Sequence, residues 1–392
     1  MKSLVLLVTC LLVAPNLCGR EVAVFNGDPQ HPWNRLYAAM DTGARADDEL
    51  LVALDDFIAA DAQKLLAAPI ERALLQSAVW ATFDRFADAA SPGGSKRNQI
   101  SARCGAVIQR LAMNETELAA LPDNYSAAVK SKVFPDQFDP QHPDDTFLPP
   151  DLLSESGSWV MMSAAARMSG PAAAKHVEAT QGRSVFYVLV RLPAGRLATL
   201  RYLRSLADFP EPYIWNPHFA PYPYARSAVS INPQVPQFPQ GTQVALLRRM
   251  VLTSSTGALT VTPITESIQF RVYENDPKDA RPGELGNQKF YELRLAPAEL
   301  FKGGHGLRAG IVSGQEKRLS FDQPSPFGGE NCNDCHGGVG VMSLNTYTHL
   351  FGPSVDSPWF EASQVSLQND ATLKWKKRDY TWGLLRGLLY LH

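Results

Sequence analysis

Hydrophobic residues recur at helical spacing through the first third of the chain and then give way to strand-like runs. Apolar positions three and four residues apart predict helices over residues 48–66, 69–90, 97–113 and, with a break at Pro122, 115–129. Residues 24–45, with the turn signal Asn-Gly-Asp-Pro, are predicted to be irregular. A change of period of this kind favours a fold in which helices and strands are segregated.

The middle of the chain carries the strand signals. An apolar run from Ser184 to Leu192 predicts a buried strand, and a helix is expected over 193–209. Four further strands are predicted, the first two joined by a Ser-Ser-Thr-Gly turn, over residues 243–253, 258–264, 266–274 and 290–295. The proline-rich stretch 210–241 is expected to be a long loop.

The expected fold class is therefore α+β. It has a helical N-terminal third, a mostly antiparallel β middle and a C-terminal segment that ends in a helix over roughly 364–390. The predicted regions are 24–132 (helical), 133–320 (β-rich) and 321–392 (C-terminal segment).

The first residues have the pattern of a secretory signal peptide. A single lysine precedes an apolar run from Leu4 to Ala14, and Pro15 ends the run. We assign residues 1–23 to this signal and expect a periplasmic or otherwise extracytoplasmic protein. The run is shorter than the roughly 20 residues that cross a bilayer, so no membrane span is expected in the mature chain. A net charge of -2 gives no reason to expect nucleic acid as a partner.

Residues 331–337 read Asn-Cys-Asn-Asp-Cys-His-Gly and contain the pattern C-x-x-C-H. Two residues between the cysteines let both thiols reach the two vinyl groups of one porphyrin from a single turn of backbone. The next residue, His336, can then supply an axial nitrogen to the iron. A motif of this kind together with an export signal is a stronger indication than either alone, because haem c is attached outside the cytoplasmic membrane.

At these residues the sequence resembles the c-type cytochromes, within a larger bacterial exported protein. The resemblance covers about five residues strictly. It implies one covalent haem c on Cys332 and Cys335, with iron bound by His336, and electron transfer to a redox partner protein. Small cytochromes of the usual class place this motif near their N-terminus, whereas here it lies close to the C-terminal end.

The distal iron ligand is left open by the sequence. His349 and Met342, thirteen and six residues after His336, are the first candidates. His305 and Met250 are also considered, and the iron can alternatively lack a second protein ligand. An open iron position would favour a haem enzyme of the peroxidase or oxidase type, or a haem-based sensor.

The cysteine pair has three competing interpretations. A redox-active C-x-x-C pair normally opens a helix after a strand, and a Gly-Gly-Glu-Asn loop precedes this one. A structural zinc site needs four ligands, and no second paired motif is present. A plain structural disulfide is the third interpretation.

Three other features have less specific interpretations. Cys104, in a predicted helix, is expected to be a small buried residue. The C-terminal tryptophans Trp375 and Trp382 are expected either to cover the haem or to pack in an ordinary core. A basic patch is expected to be a solvated helix face, or a docking surface for an acidic redox partner, and consists of Lys374, Lys376, Lys377 and Arg378.

Overall fold

The structure, a computed structural model, describes residues 24–41, 47–65, 68–87, 94–164, 171–211, 213–215, 229–232, 234–274, 288–309, 340–344 and 360–390. The architecture is α+β, as predicted, with most helices in the N-terminal part and an antiparallel sheet in the middle. Residues 1–23, which carry the predicted signal peptide, lie outside the described residues. Within the described ranges, no helix combines the length and the apolar character that a bilayer crossing needs.

Six helices form the N-terminal part. They are α1 (Pro32–Asp41), α2 (Asp47–Ala59), α3 (Pro69–Ala87), α4 (Ser95–Leu111), α5 (Glu115–Ala119) and α6 (Asn124–Ser131). Local sequence signals set several of their ends. α5 begins with a capping box, in which the Asn114 side chain accepts a hydrogen bond from the Glu117 amide at 2.8 Å and the Glu117 carboxylate accepts one from the Asn114 amide.

Five further helices follow. They are α7 (Ala174–Ala179), α8 (Arg196–Ala207), α9 (Pro297–Phe301), α10 (Val365–Arg378) and α11 (Tyr380–Tyr390). The strands are β1 (Val160–Ala164), β2 (Ser184–Arg191), β3 (Tyr213–Trp215), β4 (Val229–Ile231), β5 (Gln243–Thr253), β6 (Leu259–Tyr273), β7 (Gln288–Leu295), β8 (Leu307–Ala309) and β9 (Phe360–Ala362).

Seven strands form one sheet in the order β8-β7-β6-β5-β2-β1-β9, and all described pairings are antiparallel. Side chains alternate between the two sides of the sheet. On the helix side, residues such as Tyr187, Leu247 and Phe270 share one hydrophobic cluster with α1 to α4. On the opposite side a second cluster includes Val190, Val244 and Tyr273.

Several parts of the structure differ from the stated expectations. Residues 24–45 contain α1, which begins at Pro32, a favourable first helical position, and buries Trp33, Leu36 and Tyr37. The expected loop over 210–241 contains the short ribbon β3-β4.

Two further differences concern breaks between elements. The strands expected over 258–264 and 266–274 form the single strand β6, because β5 and β6 shift register between Arg248 and Val251 and this irregularity accommodates Pro263. The expected C-terminal helix is two helices. Asp379 has extended backbone angles (φ -69°, ψ 136°) that end α10 before α11 begins.

Candidate functional site

The residues predicted to hold the haem lie at the edge of what the structure describes. Cys332, Cys335, His336 and His349 are outside the described residues. Met342 belongs to a short 3-10 turn, Gly340–Ser343, whose backbone is described while the Met342 side chain is not. The described part of this region therefore begins four residues after His336.

This turn is anchored on the side of the sheet that faces away from the N-terminal helices. Val341 is fully buried in the second hydrophobic cluster. Its amide donates a hydrogen bond to Oε1 of Gln237 at 3.2 Å. The hydroxyls of Ser343 and Tyr273 are 2.6 Å apart, and burial raises the pKa of Tyr273. The Gly340–Ser343 turn is thus held by both apolar packing and a buried hydrogen bond to β6.

Charged side chains extend along the same side of the sheet from this anchor. Arg248 on β5 donates to the Glu266 carboxylate from Nε at 3.0 Å and from Nη2 at 3.2 Å. The Ser184 hydroxyl donates to the same carboxylate at 2.6 Å. Further along, Arg271 donates to Gln288 at 3.1 Å and lies over the ring of Phe290. The Arg248–Glu266 ion pair is partly buried, so its attraction is weakly screened by solvent but is offset by the cost of removing both charges from water.

His176 on α7 lies close to this charged side. Its ring centroid is 5.3 Å from that of Phe186 on β2. Burial, together with the charges of Arg271 and Arg248, lowers the pKa of His176 from 6.5 to about 4. The imidazole is therefore neutral at physiological pH.

A second group of charges is buried between α3, β2 and the C-terminal helices. Lys376 has a side chain with 0% relative exposure, and Asp84 on α3 has 1%. The Lys376 Nζ lies 2.8 Å from Oδ2 of Asp379 and 3.5 Å from Oδ2 of Asp84. Arg183 places Nε 3.3 Å from the same Asp84 oxygen. We call Asp84, Arg183, Lys376 and Asp379 the buried charge cluster.

The backbone before β2 lets α10 approach this cluster. Gly182 has a positive φ of 70°, and a Cβ built there would lie 2.9 Å from the Cβ of Lys376 and 3.1 Å from Cε3 of Trp375. Glycine is required at such a position because it tolerates both the backbone conformation and the close approach. This contact puts Lys376 beside Asp84 and Arg183.

Lys376 corrects one expectation. The basic patch was predicted to be a solvated helix face, but only Lys374, Lys377 and Arg378 are exposed, while Lys376 points into the protein. Sequence reasoning missed the buried charge cluster altogether. The buried positions of α10 are Gln368, Thr372 and Lys376, spaced four residues apart, so a helical stripe exists but it is polar rather than apolar.

The remaining candidates have structural roles in the described part of the chain. Met250 is 2% exposed and packs in the helix-side cluster. Val341, in the turn that follows the predicted haem motif, packs in the cluster on the other side of the sheet. Met250 is therefore better explained as a core residue than as an iron ligand. The Nδ1 of His305 accepts a hydrogen bond from the Leu307 amide at 3.1 Å. Trp382 is buried with its ring centroid 5.8 Å from that of Trp80.

Cys104 is fully buried, as predicted, and burial raises the pKa of its thiol to about 12. A thiol in this state is a poor nucleophile and a poor metal ligand. Among the residues that the structure describes, no group of three or more His, Cys, Asp or Glu side chains could hold a metal ion.

Comparison with known proteins gives no relative, so a function has to be inferred from the chain's own residues. No family model, no curated protein and no solved structure matches the chain.

Proposed function

We propose that this protein carries one covalent haem c on Cys332, Cys335 and His336 and transfers electrons to a redox partner outside the cytoplasm. The observation that carries the proposal is the C-x-x-C-H sequence behind an export signal. Two thiols and an imidazole within five residues are the donor set that haem c attachment uses. When bound, the haem iron supplies one-electron redox chemistry.

The described residues that follow the motif are anchored to the sheet. Only three residues separate His336 from Gly340 in the sequence. The turn at Gly340–Ser343 is held against β6 by the Ser343–Tyr273 hydrogen bond and by Val341.

The chain's own residues would set the redox properties. His336 would hold the iron from the proximal side, and a hydrogen bond from its other ring nitrogen would fix the tautomer. His349 and Met342 remain our first candidates for the distal position, and the nature of that ligand would shift the reduction potential.

Attachment can be tested directly. The full-length gene is expressed with a haem c maturation system, and the purified protein is examined by a pyridine haemochrome assay and by intact mass. We expect one haem per chain, lost when Cys332 and Cys335 are both replaced by alanine. Cys104→Ala is the matched control and should keep the haem, because Cys104 is buried in the helical core. A wild-type protein without porphyrin mass would refute the proposal.

Electron transfer and ligand-binding functions separate by spectroscopy. A low-spin, six-coordinate reduced spectrum that carbon monoxide leaves unchanged supports electron transfer. A high-spin spectrum that responds to carbon monoxide or peroxide would instead support a haem enzyme or a sensor. His349→Ala and Met342→Ala, measured separately, identify the distal ligand by the variant that becomes high-spin.

A further inference from the structure

The buried charge cluster contains an amine and a carboxyl group in direct contact, without water access. Lys376 Nζ and Asp84 Oδ2 are 3.5 Å apart, and both side chains are at least 99% buried. The lysine nitrogen also lies 5.4 Å from the ring centroid of Trp80, so an aromatic face closes the site on one side. Burying two ions in this way has a large desolvation cost, which a neutral product would avoid.

Asp84 has an unusual environment for a carboxylate. Neither of its buried oxygens has a partner in full hydrogen-bond geometry within the described residues, although Arg183 Nε and Lys376 Nζ lie 3.3 Å and 3.5 Å from Oδ2 and the Thr381 hydroxyl lies close enough to lower the pKa of Asp84. Burial raises the pKa of Asp84, and the charges of Lys376 and Arg183 offset this only in part. The carboxylic acid form is therefore favoured here more than at an ordinary aspartate.

Asp379 supplies the third group that a condensation needs. Its Oδ2 accepts a hydrogen bond from Lys376 Nζ at 2.8 Å and another from the Thr381 hydroxyl at 2.5 Å. Burial raises the pKa of Asp379, but Lys376 and Thr381 outweigh this, so the pKa lies below its usual value. Asp379 is thus an ionised carboxylate, and its hydrogen bond to Nζ, rather than its basicity, places it to take a proton from the lysine.

We propose that Lys376 and Asp84 condense to an intramolecular amide, an isopeptide cross-link between α10 and α3. The Nζ atom forms a bond to Cγ of Asp84, and the bond from Cγ to a carboxyl oxygen breaks. One water molecule leaves. No oxidant or external reactant is needed.

The protons balance through Asp379. One proton of the Lys376 ammonium passes to the Asp84 carboxylate, which gives a carboxylic acid and a neutral amine with a free electron pair for the attack on Cγ. As the N–C bond forms, Asp379 accepts a second proton from the nitrogen. The proton then passes to the departing hydroxyl, and Asp379 ends as the carboxylate that it was. Arg183, 3.3 Å from Oδ2 of Asp84, stands where it can stabilise negative charge that develops on that oxygen during the attack.

The cross-link would join two parts of the fold that are distant in sequence. α3 belongs to the N-terminal helices, and α10 precedes the last helix. Closing such a long loop restricts the unfolded chain strongly. The one cysteine in the described residues, Cys104, is remote from α10 in sequence and buried as a free thiol, so no disulfide takes this role among those residues.

Intact mass spectrometry of the purified wild-type protein tests the proposal. We expect a mass lower than the mature sequence requires, after signal-peptide cleavage and any haem are accounted for, by one water or about 18 Da. Proteolysis should yield one branched peptide that contains both Asp84 and Lys376. Lys376→Arg should have its full mass, and Lys377→Arg, at the exposed neighbouring position, is the matched control that keeps the cross-link.

Two aspartate variants test the chemistry itself. Asp84→Asn should lose ammonia instead of water and reach the same final mass as the wild-type protein. Asp379→Asn keeps the shape of the site but removes the proton acceptor, and it should form the link about 100-fold more slowly. Equal rates in Asp379→Asn and wild type would overturn the assigned role of Asp379.

A wild-type protein of full mass, with the peptides of Asp84 and Lys376 recovered separately, would refute the cross-link and leave an ion pair. This outcome is independent of the haem, because neither residue belongs to the C-x-x-C-H segment.

Discussion

The side of the sheet that faces the N-terminal helices packs in one continuous apolar core, interrupted beside α3 by the buried charge cluster, whereas the opposite side carries ion pairs between its strands. On the helix side, Phe147 and Phe270 stack with ring centroids 4.6 Å apart in a continuous core. On the other side, apolar packing is divided into two smaller clusters, with the Arg248–Glu266 pair on the same side.

This difference suggests different roles for the two sides of the sheet. A continuous apolar core contributes most of the free energy of folding and tolerates few polar groups. The polar side instead holds the turn that follows the predicted haem motif, together with a neutral histidine and several charges. Charged groups at a buried surface cost stability, so their presence is easier to understand if that side has a function.

Substitution in the helix-side core should have the largest effect. Phe270→Ala removes a fully buried ring and leaves a cavity, so we expect the free energy of unfolding to fall by about 3 to 5 kcal/mol. Urea unfolding followed by circular dichroism measures this change. Leu197→Ala is the control, because Leu197 is 71% exposed and the effect should stay within about 0.5 kcal/mol. Equal losses in the two variants would show that the apolar cluster is not the main source of stability.

Breaking an ion pair on the opposite side should cost less. Glu266→Gln removes the charge that accepts hydrogen bonds from Arg248 and Ser184, and we expect a loss of about 2 to 3 kcal/mol. The matched control is Glu299→Gln, since Glu299 pairs with Arg308 at a much more exposed position and should lose less than about 1 kcal/mol. If both variants lost the same amount, burial would not distinguish the two pairs.

The apolar elements of the fold could be predicted from the sequence, whereas the buried charges could not. The Ser184–Leu192 run predicted β2 because its residues are apolar on both sides, and the helices α2 to α4 followed from regular apolar spacing. The buried charge cluster gave no such signal. Asp84, Arg183 and Lys376 are far apart in the chain, and the buried stripe of α10 is polar. Only the tertiary contact at Gly182 reveals that Lys376 is inside.

The haem motif, unlike the buried charge cluster, could be identified from the sequence alone. Its chemistry could be predicted from five consecutive residues, because covalent attachment depends on local spacing and not on a distant partner. The distal ligand could not be predicted in the same way, since any residue that the fold brings to the iron would serve.

Lowering the pH should reduce the free energy of unfolding through protonation of His176, which lies beside the charged side of the sheet. Its pKa is about 4 in the folded protein and 6.5 in the unfolded chain, so the unfolded state binds more protons between these values. The contribution of His176 is therefore complete above pH 6.5 and is lost as the pH falls toward 4. We expect about 2 kcal/mol from this residue, after allowance for its partial exposure.

Unfolding in urea at a series of pH values tests this dependence. His176→Gln should flatten the slope between pH 6.5 and 4. The control is His142→Gln. The hydrogen bond to Asp139 raises the pKa of His142, so its contribution to stability depends on pH in the opposite direction. His142 is exposed, so its effect should be small. An unchanged slope in His176→Gln would mean that the pKa of His176 is not lowered in the folded protein.

Substitutions at the anchor of the Gly340–Ser343 turn should have the smallest effect on the free energy of unfolding. They also test whether haem attachment depends on this side of the sheet. Ser343→Ala removes the partner that lies 2.6 Å from the Tyr273 hydroxyl, and we expect a loss of about 1 kcal/mol. Tyr273→Phe removes the other half of the pair. If the two hydroxyls act together, the double variant should be less destabilised than the sum of the single variants. Strict additivity would show that the two hydroxyls do not stabilise the fold through a shared hydrogen bond, and a haemochrome assay on the same variants would show whether haem attachment requires the anchor.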